Sequence, residues 1–170
     1  MRALFTLAMV SMLIHATATQ AMEKEPADFR GVPWGAEFEQ YRSEMTVLRN
    51  EGDVVYYRRT GDVMKLNQVD AIKVAYRFYK NRFSTGVIQT YGGGNQKSLL
   101  ETLKGLHGEP QRPRKRIHQY FWDGEVAYLV LTCEVTSYCV VEYASKPMIQ
   151  EEQTDTGVMP GAGTRKRDDN

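Results

Sequence analysis

Cysteine and histidine are scarce in this chain, and neither charge sign prevails. Of 170 residues, 2 are Cys and 3 are His, and 22 Lys plus Arg face 21 Asp plus Glu, for a formal net charge of +1. So few soft ligands, none at helical or hairpin spacing, exclude a Cys/His metal cage. Charge parity argues against a nucleic-acid binder, which needs a basic excess. No Asn-x-Ser/Thr acceptor occurs, and past residue 21 no apolar run is long enough to span a bilayer. What is present is a hydrophobic fraction of 42%, enough for a core in a chain of single-domain length.

Residues 1–21 read as an address. Arg2 and the free amine give a positive start, residues 3–14 are apolar apart from Thr6 and Ser11, and small residues follow. That is the layout of a secretory signal peptide, cleaved after Ala18 or, second, after Ala21. Removing residues 1–18 takes away one formal charge, Arg2, and leaves acids and bases in balance. No cysteine near the cleavage site could carry a lipid. The expected product is a soluble exported protein, periplasmic or secreted.

In an oxidising compartment Cys133 and Cys139 are expected to form a disulfide. Each is flanked by an apolar strand, and five residues separate them. Facing one another in an antiparallel pair, they set a register in which Leu131 faces Val141 and Leu129 faces Tyr143. Ala127, Leu129, Leu131, Val141 and Tyr143 then line one buried face.

The remaining elements follow from periodicity. A short strand is predicted over 28–32, a short helix over 36–45, and strands over 46–49 and 54–59 around Asn50-Glu51-Gly52-Asp53. Alternation is strongest over 71–79, with Ile72, Val74, Tyr76 and Phe78 on one side, continuing over 83–91. A tip at Lys80-Asn81 pairs Phe78 with Phe83, Tyr76 with Thr85 and Val74 with Val87. Asn95 caps a helix striped by Leu99, Leu100, Leu103 and Leu106, closed by His107, Gly108 and Pro110. Strands over 117–122, 125–133 and 139–144 complete a single domain at 28–145. Residues 22–27 read as a loose lead-in and 146–170 as a disordered tail. Hairpins require antiparallel pairing. The expected fold is therefore α+β, one twisted antiparallel sheet with two helices packed on one face.

Several motifs carry a resemblance. Phe29-Arg30-Gly31-Val32-Pro33-Trp34-Gly35, Tyr57-Arg58-Arg59, the run from Tyr76-Arg77-Phe78-Tyr79 to Lys80-Asn81-Arg82-Phe83, Gly108-Glu109-Pro110 and Tyr120-Phe121-Trp122 together resemble a family of uncharacterised exported bacterial proteins. The likeness covers residues 28–145 and implies no activity. More loosely, two helix-plus-hairpin units on one sheet are similar to envelope domains of the β-lactamase-inhibitor type, which implies protein binding by analogy.

Candidate sites are few. Residues 91–98 form a Gly-rich turn ending in Lys97-Ser98, but Tyr91 and Gln96 stand where a phosphate-binding loop needs Gly. Arg112, Arg114, Lys115 and Arg116 form a basic run that could contact an anionic envelope component or an acidic partner; a solvated loop is the plainer reading. Trp34 and Trp122 are read as core fillers rather than a ligand groove. His107 is assigned to the helix C-terminal dipole. Serines lack a nucleophile-elbow setting. No catalytic residue, metal site or cofactor is expected. The sequence favours a non-enzymatic exported binding module of the bacterial cell envelope, its partner an envelope protein or anionic component. The alternative is a small periplasmic enzyme whose residues converge from separate strands.

Overall fold

The computed structural model describes residues 22–111, 118–134 and 137–157. Residues 1–21, the basic run at 112–117, residues 135–136 and residues 158–170 lie outside them. In chain order the strands are β1 Asp28–Phe29, β2 Val32–Pro33, β3 Met45–Glu51, β4 Val54–Arg59, β5 Lys65–Leu66, β6 Val69–Asp70, β7 Lys73–Tyr79 and β8 Arg82–Tyr91. Helix α1, Asn95–His107, precedes β9 Gln119–Asp123, β10 Ala127–Cys133 and β11 Tyr138–Ser145, and α2 spans Lys146–Thr156. Seven strands form one antiparallel sheet in the order β3-β4-β7-β8-β11-β10-β9, beside the two-stranded pairs β1-β2 and β5-β6.

The first face of the sheet is the core. Leu129 faces Trp122 on one side and Tyr143 on the other, Tyr143 faces Gly86, and Gly86 faces Tyr76. Leu129, Leu131, Val141 and Tyr76 are fully buried on this face. The β10–β11 register runs as the cysteine pair implies, with Leu131 opposite Val141 and a Cys133–Cys139 disulfide whose Cα atoms are 4.1 Å apart. Helix α1 covers this face through Leu99 and Leu103, in the same cluster as Tyr76 and Tyr143. Gly94, left-handed, precedes α1 in place of Asn95, and Gly108 ends it with its N–H donated to the Lys104 carbonyl.

The β7–β8 hairpin turns at Lys80 and Asn81, both at positive φ, and Phe78 faces Phe83 as expected. Beyond that pair the register departs from the expected one. A bulge between Arg77 and Phe78 inserts Ser84, so Tyr76 faces Gly86 rather than Thr85, and Val74 faces Ile88 rather than Val87. Ser84 Oγ donates to the Arg77 carbonyl and accepts from Arg77 Nη1, both at 3.0 Å. The slip brings a residue without a side chain beneath Phe29. A Cβ at Gly86 would lie less than 3.0 Å from three atoms of that ring.

Four further expectations are corrected. The strand expected over 28–32 is the hairpin β1–β2, turned by Arg30 and Gly31 at positive φ. The helix expected over 36–45 is two 3-10 turns, Phe38–Gln40 and Arg42–Glu44. Phe38 N–H donates to the Asn81 carbonyl, which fixes this segment to the hairpin tip. The lead-in is ordered: Met22 is buried, and the Glu25 carboxylate accepts backbone N–H bonds from Glu125, Val126 and Ala127. Finally, Lys146–Thr156, expected within a disordered tail, is helix α2, with Pro147 in its first turn and Gly157 as a left-handed cap.

The two helices lie on opposite faces of the sheet. Arg77 points away from the core between Tyr76 and Phe78, and it is the Arg77 guanidinium that pairs with Glu152 of α2. The coarse α+β expectation stands, with one helix to each face.

Candidate functional site

The second face is built from the alternate residues of the same strands and is only half covered. Helix α2 closes one end. Glu152 pairs with Arg77, Glu151 with Arg82, and Asp155 accepts from Lys80 Nζ at 2.7 Å and from the Tyr79 hydroxyl at 2.8 Å. Asp155 is held below the ordinary aspartate range by those two bonds. Met148 is the helix's one buried residue.

The other half of this face is a groove of about 380 Å³. Ala75, Val87 and Val140 form its floor, and Tyr56, Lys73, Gln89 and Glu142 surround them. At the edge strand β3 the register shifts between Val47 and Arg49, and Leu48 and Arg49 line the groove there. Arg49 lies over the Tyr56 ring at 4.4 Å and pairs with Glu51 at 3.3 Å. The bulge and these charges blunt β3 as an edge for strand addition.

Glu142 occupies the middle of this face. Across the strands it sits between Val87 and Val130, and Val130 faces Phe121 in turn. Along β11 its same-face neighbours are Val140 and Ala144. Phe121 and Tyr128 pack at 5.7 Å between ring centroids. Solvent reaches Glu142, yet the surrounding sheet displaces enough water to push its carboxyl above the ordinary glutamate range, against the pull of Arg77. Burial, and then the nearby Glu142 charge, raise the Tyr128 phenol.

The Gly-rich turn lies elsewhere. Gly92 and Gly94, both at positive φ, open into a hollow of about 410 Å³ with Lys97, His118 and Glu134. Gln96 Nε2 lies 3.0 Å from His118 Nδ1. This is a turn and a helix start, with no glycine at the position a phosphate loop requires.

The other sequence candidates resolve as structure. Trp122 is buried and donates its indole N–H to the Gly108 carbonyl at 2.7 Å; Trp34 stacks on Phe83 and donates to the Pro26 carbonyl. His107 is corrected from a dipole role to a packing one. It is buried edge-on against Tyr143, its Nδ1 2.7 Å from the Lys24 carbonyl, and burial lowers its pKa despite that bond. Away from these candidates, Glu39 and Glu44 pair with Arg42 and Arg59. Arg112, Arg114, Lys115 and Arg116 lie outside the described residues. Among the described residues no group of three or more His, Cys, Asp or Glu could hold a metal ion. The basic run drew attention because charge is visible in sequence. The face around Glu142 did not, although a lone Glu inside the apolar strand Cys139-Val140-Val141-Glu142-Tyr143-Ala144 was its signal.

No protein-family model, curated protein or solved structure matches the chain.

Proposed function

We propose that this chain is a non-enzymatic exported binding module of the bacterial cell envelope, and that it takes a protein on the open half of the sheet's second face. One observation carries the reading: beyond α2 the second face carries a groove of about 380 Å³ lined by residues of β3, β4, β7, β8 and β11, with the buried Ala75 and Val87 and the half-buried Val140 at its base. Partly apolar grooves with a few polar groups are where proteins bind ligands. Export is supported by the leader layout of residues 1–21 and by the disulfide. Among the described residues no helix is long and apolar enough to cross a membrane.

The test is capture from envelope extract by the mature chain, set against a Val140→Lys variant that fills the groove with charge. The reading expects a specific protein retained by the native chain and lost from a variant with an unchanged far-ultraviolet spectrum. Equal retention by both chains overturns it.

One observation favours the alternative, a small periplasmic enzyme. A carboxyl raised by its surroundings, as at Glu142, is suited to general acid work. Among the described residues lining the groove there is no histidine, serine or cysteine to act beside it. The binding reading is the stronger.

A further inference from the structure

Resting on the binding reading, we infer that the protein partner inserts an arginine side chain into the open face, where Glu142 pairs with its guanidinium and the Phe121–Tyr128 ring pair supports it. The first ground is charge. Glu142 makes no hydrogen bond or ion pair among the described residues, whereas its neighbouring charges are matched. Arg77 is paired with Glu152, and Arg49 with Glu51. Lys73, the cation at the rim, stands opposite Gln89 two strands from Glu142.

The second ground is placement. Glu142 is exposed among Val87, Val130 and Val140, so its carboxylate is only partly desolvated in the free chain. Docking an apolar partner surface would desolvate it further. Such docking is favourable only if the partner brings the opposite charge.

The third ground is shape. Val130 lies between Glu142 and Phe121, and Phe121 packs on Tyr128 at 5.7 Å. Tyr128 stands diagonal to Glu142 across the β10–β11 pair, whereas Phe121 is two strands away and reaches it through Tyr128. A carboxylate with a phenol ring at its side suits a planar, weakly hydrated guanidinium better than an ammonium. The negative charge at Glu142 is also close enough to Tyr128 to raise its phenol, after burial.

The probe is N-acetyl-arginine amide, titrated into the isotope-labelled mature chain and followed at the backbone amides of Val87, Val130 and Val140. Its neutral isostere, N-acetyl-citrulline amide, is the control. The inference expects saturable shifts with arginine, about tenfold or more weaker binding of citrulline, and loss of the arginine response in Glu142→Gln. Equal responses to the two probes, an undiminished response in Glu142→Gln, or no saturable shift up to the probe's solubility overturn it. Envelope capture separates this inference from the reading beneath it. Capture that fails in Val140→Lys but survives Glu142→Gln keeps the docking face and removes the arginine. Capture that survives both removes the two together.

Discussion

The two faces of the seven-stranded sheet are made by the same strands and held by different forces. On the first, Leu129, Leu131, Val141 and Trp122 are sealed beneath α1 and the N-terminal hairpin, and Phe29 packs edge-on against Tyr76 and tilted against Tyr143. On the second, α2 is tied down by Glu151, Glu152 and Asp155 and buries one residue, Met148. The large buried side chains thus gather on the first face, although Ala75, Tyr79 and Ala144 are buried on the second. Packing is sensitive to volume, whereas exposed ion pairs contribute little each.

The largest effect that sharpens this contrast comes from two neighbours on β10. Leu131→Ala removes a fully buried side chain and should cost about 3 kcal/mol in urea unfolding. Val130→Ala, one residue away on the open face, should cost less than about 1 kcal/mol. Comparable losses would mean that the second face is also a core. Next in size is Glu152→Gln, which leaves the largely buried Arg77 without its carboxylate. It should cost about 1–2 kcal/mol and speed amide exchange in α2 while the first face stays protected. Uniform loss of protection would show that the helix and the core unfold as one unit.

The smallest effect is the most specific. The folded chain holds a proton on Glu142 more tightly than an unfolded chain does, so the ionised form costs stability above its raised pKa. That cost shrinks as pH falls through the window between the two values. Glu142→Gln should therefore be more stable at neutral pH by about 0.5 kcal/mol, solvent screening keeping the figure small. The two chains should converge below the ordinary glutamate range. A variant less stable at neutral pH would show that the carboxylate is used within the fold.

How much of this was legible in the chain follows from what each element depends on. Strand β10 alternates between buried and half-buried residues along its whole length, and that leaves a period of two in the residues. The cysteine pair added the β10–β11 register. The β7–β8 register was hidden because the Ser84 bulge serves a distant residue, Phe29, which needs Gly86 beneath it. Helix α2 was hidden by its mode of attachment. A segment held by carboxylates rather than by an apolar stripe resembles a solvated tail, and Pro147 serves a helix start as well as a strand stop. The open face was hidden for a related reason. Glu142 meets Val87 only through the pairing of β8 with β11, and the bulge decides which β8 residues point that way.

The N-terminal segment has a kinetic consequence. Met22 N–H donates to the Asp123 carbonyl, Glu25 closes the turn before β10, and Phe29 rests on Gly86. Its docking sites are made by residues dozens of positions later, some about 100 along the chain. If the chain is threaded outward amino end first, its earliest emerging residues have nowhere to rest until almost the whole polypeptide has followed. Such long-range closure slows folding and leaves strands waiting unpaired. Until then the nascent chain would depend on something else to shield its leading end.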